Sequence, residues 1–75
     1  MFNQNLFSER LLALRKEHKL SQTQLADQLN VSFHQVSKME KGQRAASIEV
    51  LCSLADYFDV SLDYLVGRSD DPARK

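Results

Sequence analysis

Glycine and proline interrupt helices more effectively than other residues, and this chain of 75 residues has only two Gly and one Pro. Gly42 and Gly67 each follow a stretch whose apolar residues recur at helical spacing, and no other Gly or Pro occurs before Pro72. That punctuation predicts an all-α fold built from five short helices. Residues 1–67 are read as one compact domain, and 68–75 as a charged flexible tail expected to fray.

The first helix is expected over residues 6–19, capped by Asn5, with Phe7, Leu11 and Leu14 on one buried stripe. Arg15, Lys16 and Lys19 suit the negative end of its dipole. Ser21 caps a second helix over 22–29, with Leu25, Ala26 and Leu29 facing inward. Asn30, which tolerates the left-handed conformation, ends it. Ser32 caps a third helix over 33–41, with Val36 and Met39 inside and Gly42 as its stop. After Ser47 a fourth helix over 48–58 carries Ile48, Leu51, Cys52, Ala55 and Phe58 on its inner stripe. Ser61 caps a fifth over 62–66.

Composition excludes several classes. Hydrophobic residues make up 43% and charged residues 27%, as in a globular domain rather than a disordered chain, and the length holds only one such domain. The longest apolar run, Leu11-Leu12-Ala13-Leu14, is far short of the ~20 residues that span a bilayer. Residues 1–10 lack the apolar segment of a secretory signal, so a cytoplasmic location is the default. The lone Cys52 makes neither an internal disulfide nor a cysteine-based zinc site, and is read as core packing. His18 has no second metal ligand at suitable spacing and is read as a plain helix-end residue. The acids Asp56, Asp59, Asp63, Asp70 and Asp71 lack calcium-loop spacing and are read as a solvated face. There is no phosphate-binding glycine loop, nucleophile elbow or catalytic Cys/His pair. We therefore expect a non-enzyme with no cofactor, no metal and no small-molecule ligand.

The formal net charge of zero hides a polarity. Residues 1–44 hold seven Lys and Arg against four acids, and residues 45–75 hold three against six. Such a split suits a basic contact face backed by an acidic one.

The most informative stretch is 21–42. Two helices of about eight residues are joined by Asn30, Val31 and Ser32 alone, a link that forces a steep crossing, as in a helix-turn-helix. Ala26 is the small residue that lets the pair approach closely. The outer side of the second member is left with Phe33, His34, Gln35, Ser37, Lys38 and Lys41, and with no acid.

Here the chain resembles the phage repressor/Cro-like helix-turn-helix regulators, also called the xenobiotic-response-element type. The resemblance rests on Glu9-Arg10-Leu11 with Leu14-Arg15-Lys16, Leu20-Ser21-Gln22 with Leu25-Ala26, Leu29-Asn30-Val31-Ser32, Val36-Ser37, Glu40-Lys41-Gly42, and Leu54-Ala55 with Phe58-Asp59-Val60-Ser61-Leu62-Asp63-Tyr64-Leu65. It covers about residues 7–67. It implies a five-helix transcriptional regulator that binds double-stranded DNA, usually as a dimer on a palindromic operator, with helix 33–41 in the major groove.

Position by position, the resemblance implies base-edge contacts from Phe33, His34, Ser37 and Lys38, and backbone contacts from Gln22, Gln35, Lys41, Gln43 and Arg44. Lysine can donate to guanine O6/N7, and phenylalanine can pack on a thymine methyl. Phe33 has two further options: folding back onto the protein, or joining a subunit contact. Arg15 and Glu40 match a pair that ties the first helix to the third, expected here as a partly buried ion pair. The chain departs from the family pattern at Asn30, where Gly is common, and at Ala46, where Pro is frequent and its loss loosens the loop.

A repressor is the expected regulator, since no ligand-binding domain accompanies these residues. The rival is a protein-interaction module of the same fold, an antitoxin-like or anti-repressor partner, motivated by the neutral charge and the exposed Phe33. A homodimer is also expected, because so small a core gains from association. Val50, Tyr57, Tyr64 and Val66 fall off the main inner stripes and either form its patch or cover the domain's own core edge.

Overall fold

The computed structural model describes residues 3–74 and contains five α-helices, with no strand among the described residues. They are α1 (Gln4–Glu17), α2 (Gln22–Leu29), α3 (Phe33–Glu40), α4 (Ile48–Phe58) and α5 (Leu62–Leu65). α3 packs on both α2 and α1, while α4 closes the core against α5 and α2.

Each helix begins on a side-chain oxygen: Asn3, Ser21, Ser32, Ser47 and Ser61 accept the backbone N–H three residues on. Each is followed by a left-handed residue, in turn Lys19, Asn30, Gly42, Asp59 and Gly67, with φ between +56° and +83°. The next N–H then reaches back five residues, from Leu20 to Arg15, Val31 to Ala26, Gln43 to Lys38, Val60 to Ala55 and Arg68 to Asp63, at 2.8–3.1 Å. One type of stop therefore satisfies the last carbonyls of all five helices. It also turns Leu20, Val31 and Val60 back onto the core. The Gly and Asn stops follow from the sequence. Lys19 does not, because lysine marks no left-handed position, and Asp59 is of a type that visits this region only occasionally.

The buried stripes of α1, α2 and α3 are the expected ones, with Phe7, Leu11, Leu25 and Val36 fully enclosed. Two expectations need correction. α1 begins two residues early and is capped by Asn3, whose side chain takes the Leu6 N–H at 3.1 Å. Asn3 rather than Asn5 is selected because its own N–H also reaches the Val66 carbonyl, at 2.9 Å. In α4 the buried stripe is Leu51, Leu54, Ala55 and Phe58, which leaves Ile48 75% exposed and puts Cys52 at the surface. Eight of the eleven residues of α4 are apolar, so periodicity alone fits two neighbouring stripes, and docking chooses between them.

The segment after Gly67 is the one expected to fray. Over its described residues, 68–74, it lies back on the domain. Arg10 is held under it: its guanidinium donates to the carbonyls of Tyr64 and Ser69, pairs with Asp70 at 2.8 Å, and sits 4.1 Å from the Tyr64 ring centre. The Ser61 N–H donates to the Pro72 carbonyl at 2.9 Å, and Arg74 reaches the Ala55 carbonyl and Asp56. These partners lie far apart in sequence, which is why composition suggested fraying.

The two glycines should respond differently to substitution. A Cβ on Gly42 would lie 3.5 Å from Ser8 Oγ, an ordinary contact, whereas one on Gly67 would come within 2.8 Å of the Asn3 Cβ. Gly42→Ala should cost only the left-handed backbone penalty, about 1–2 kcal/mol. Gly67→Ala should cost about 1–3 kcal/mol more through overpacking. Urea titrations of the two variants measure the difference.

Candidate nucleic-acid interface

Helices α2 and α3 are too short to be stable alone, so their geometry depends on their ends and on burial. Both start with a reciprocal capping box. The Ser21 hydroxyl takes the Gln24 N–H while Gln24 takes that of Ser21, and Ser32 and Gln35 repeat the arrangement. Between them Asn30 makes the left-handed turn, and Val31 packs on the core. Leu25, Ala26 and Leu29 from α2 bury with Val36 and Met39 from α3.

The far end of α3 is fixed by charge. Arg15 of α1 places Nε and Nη2 on the two carboxylate oxygens of Glu40, and its Nη1 donates to the Leu20 carbonyl at 2.8 Å. Gln22, in the first turn of α2, donates a third hydrogen bond to Glu40 at 2.8 Å. The Glu40 side chain is 5% exposed and that of Arg15 13%. Three helices meet at this carboxylate. Gln22 thus spends one amide N–H inside the protein, keeping its carbonyl oxygen and second N–H.

The other side of α3 is uncovered. Phe33 is 44% exposed and does not fold back into the core; its ring meets His34 edge-on at 5.5 Å. His34, Lys38 and Lys41 are exposed and Ser37 is half-buried, as is Gln35, whose carbonyl oxygen is committed to the capping box. Gln43 and Arg44 are exposed on the loop that follows. Among the described residues none of Lys38, Lys41 and Arg44 is in an ion pair. The site therefore offers a row of unpaired cations and polar groups, while its only acid is turned inward.

Of the residues Val50, Tyr57, Tyr64 and Val66, three are half-buried. Val50, Tyr64 and Val66 pack against the core, Val50 near Leu29 and Val31, and Tyr64 beneath Arg10. Only Tyr57 of the four is exposed, stacked edge-on against Phe58. His18 caps α1, with Nδ1 2.9 Å from the Leu14 carbonyl and its ring against Phe58. Reading the sequence missed Gln4 and Ser8, which touch the exit of α3 from α1. No spacing signal marks them, since their partners lie 31 and 40 residues away.

A pair of short capped helices joined by a left-handed turn, clamped from inside and presenting an unpaired polar face, is the arrangement of a helix-turn-helix unit. Residues 11–65 match the model of the HTH_3 helix-turn-helix family, and the chain belongs to that family. It is 36% identical over 70 residues to the uncharacterized HTH-type transcriptional regulator YobD of Bacillus subtilis, covering 93% of this chain and 62% of YobD. The chain thus spans about three fifths of that relative's length. Among solved structures, a transcriptional regulator from Listeria innocua is 44% identical, with a TM-score of 0.78 over 81% of this chain and 57% of that one. The P22 c2 repressor, solved in complex with a synthetic operator, is 31% identical, with a TM-score of 0.80 over 85% of this chain and 97% of its own.

Removing one member of the buried pair leaves an uncompensated charge. Arg15→Ala and Glu40→Ala should each cost roughly 3–5 kcal/mol in urea denaturation. Gln22→Ala removes only one hydrogen bond to a charged group and should cost about 1.5–3 kcal/mol.

Proposed function

We propose that this chain is a sequence-specific regulator of transcription, acting as a repressor, that lays α3 in the major groove of double-stranded DNA. The observation that carries the reading is the divided face of α3. Val36, Met39 and the Glu40 carboxylate are buried within the protein, while Phe33, His34, Lys38 and Lys41 face outward. Family membership, and the operator-bound state of the P22 c2 repressor, support it independently. We place the protein in the cytoplasm with its operator.

In this reading Lys38 donates to guanine O6 or N7, His34 and Ser37 hydrogen-bond neighbouring base edges, and Phe33 packs on a thymine methyl. Gln22, Gln35, Lys41, Gln43 and Arg44 contact phosphates on either side, and so fix the register without reading sequence. The first turn of α2 also offers backbone N–H groups to an anion. A dimer would set two α3 helices ~34 Å apart, so the operator is an inverted repeat with half-sites about one turn apart.

A titration on an inverted repeat upstream of the protein's own gene tests this. Lys38→Ala should cost roughly 1–3 kcal/mol and relax specificity at one base pair. Lys41→Ala should weaken all sequences alike and lower the slope of log K against log[salt] by ~0.9. Binding that ignores both salt and Lys38→Ala would overturn the reading.

A further inference from the structure

The exit of α3 is held by two residues outside the helix-turn-helix itself. The buried Ser8 hydroxyl of α1 lies 2.8 Å from the Met39 carbonyl, just before the left-handed Gly42. Gln4, one turn earlier on α1, places Nε2 3.3 Å from Ser8 Oγ and 3.2 Å from the Arg44 carbonyl, just after that turn. One amide N–H of Gln4 goes to Arg44 and the other to Ser8, and the single Ser8 O–H is shared between the Met39 carbonyl and the Gln4 carbonyl, which lies 2.9 Å from Oγ. One short chain of hydrogen bonds therefore spans the Gly42 turn from both sides. The loop it holds, residues 43–47, contains no Pro, so its backbone lacks that constraint.

From this we infer that Gln4 and Ser8 are positioning residues for DNA binding: they fix the turn leaving α3 so that Gln43 and Arg44 meet the phosphate backbone. The inference rests on the DNA-binding reading above. Neither residue touches the nucleic acid. Gln4 acts through the Arg44 carbonyl, and Ser8 holds both Gln4 and the last turn of α3. Without the brace the Arg44 side chain keeps its charge but must be ordered at the moment of binding, so its phosphate contact is weakened or lost.

The test is a salt titration of operator binding for Gln4→Met, which keeps the bulk and removes the donor, with Ser8→Ala as a second variant. Gln4→Met should lower the slope of log K against log[salt] by ~0.9 and weaken binding about tenfold at 0.1 M salt. The affinity ratio between operator and scrambled DNA should stay unchanged, because no base contact is altered. Arg44→Ala should lower the slope equally, and the Gln4→Met/Arg44→Ala double variant should lose no more than either alone. Ser8→Ala should shift the slope in the same direction. A wild-type slope in Gln4→Met, or additive losses in the double variant, would overturn the brace while leaving the DNA-binding reading intact. A wild-type protein with no salt-dependent binding would overturn both.

Discussion

The Glu40 carboxylate is the point on which the arrangement turns. Taking a carboxylate out of water is costly unless its oxygens are matched by good donors, and here Arg15 supplies two N–H groups and Gln22 a third. Because the donors come from α1 and α2 and the acceptor from α3, the three helices are locked at one point by groups with strict directional needs. The apolar contacts of Leu25, Ala26 and Val36 hold α2 and α3 together without such direction, since dispersion and burial tolerate small slides. The ionic network at one end and the Asn30 turn at the other restrict those slides. A binding face that must keep one shape needs that restriction.

The same network shapes the surface potential. The chain is formally neutral, yet three of its arginines are absorbed internally: Arg15 by Glu40, Arg10 by Asp70, and Arg74 by Asp56. Arg10 and Arg74 thereby neutralise part of the acidic half of the sequence. The exposed cations of α3 and its following loop, Lys38, Lys41 and Arg44, remain unpaired among the described residues. Net charge is therefore a poor guide to how such a domain meets an anion. What counts is which charges the fold consumes. Arginine, with its planar fork of donors, is the residue consumed, and lysine is mostly left at the surface.

Short helices make the ends matter more than the middles. Five helices of 4 to 14 residues have many terminal N–H and C=O groups in proportion to their length. Every start takes Asn or Ser, and every stop takes a left-handed residue followed by a back-bonded N–H. The stops also set direction, since the residue after each one is free to turn into the core. Leu20, Val31 and Val60 do so. A chain with only two glycines reaches five such stops because Asn30, Asp59 and Lys19 accept a positive φ.

The sequence by itself determined the all-helical class, the caps at Ser21, Ser32, Ser47 and Ser61, and the inner stripes of α1 to α3. It also determined the exposure of Phe33, His34, Lys38 and Lys41. Those signals are local, with their causes lying within a turn or two of each residue. Tertiary structure alone decided the rest. It chose Asn3 over Asn5, and rotated α4 to bury Leu54 and expose Ile48 and Cys52. It drew Arg10 to the C-terminal segment, Arg74 of that segment to α4, and Gln4 and Ser8 to the exit of α3. In each case the deciding partner is many residues away in the chain, and nothing in local spacing records which distant backbone group a flexible polar side chain will meet.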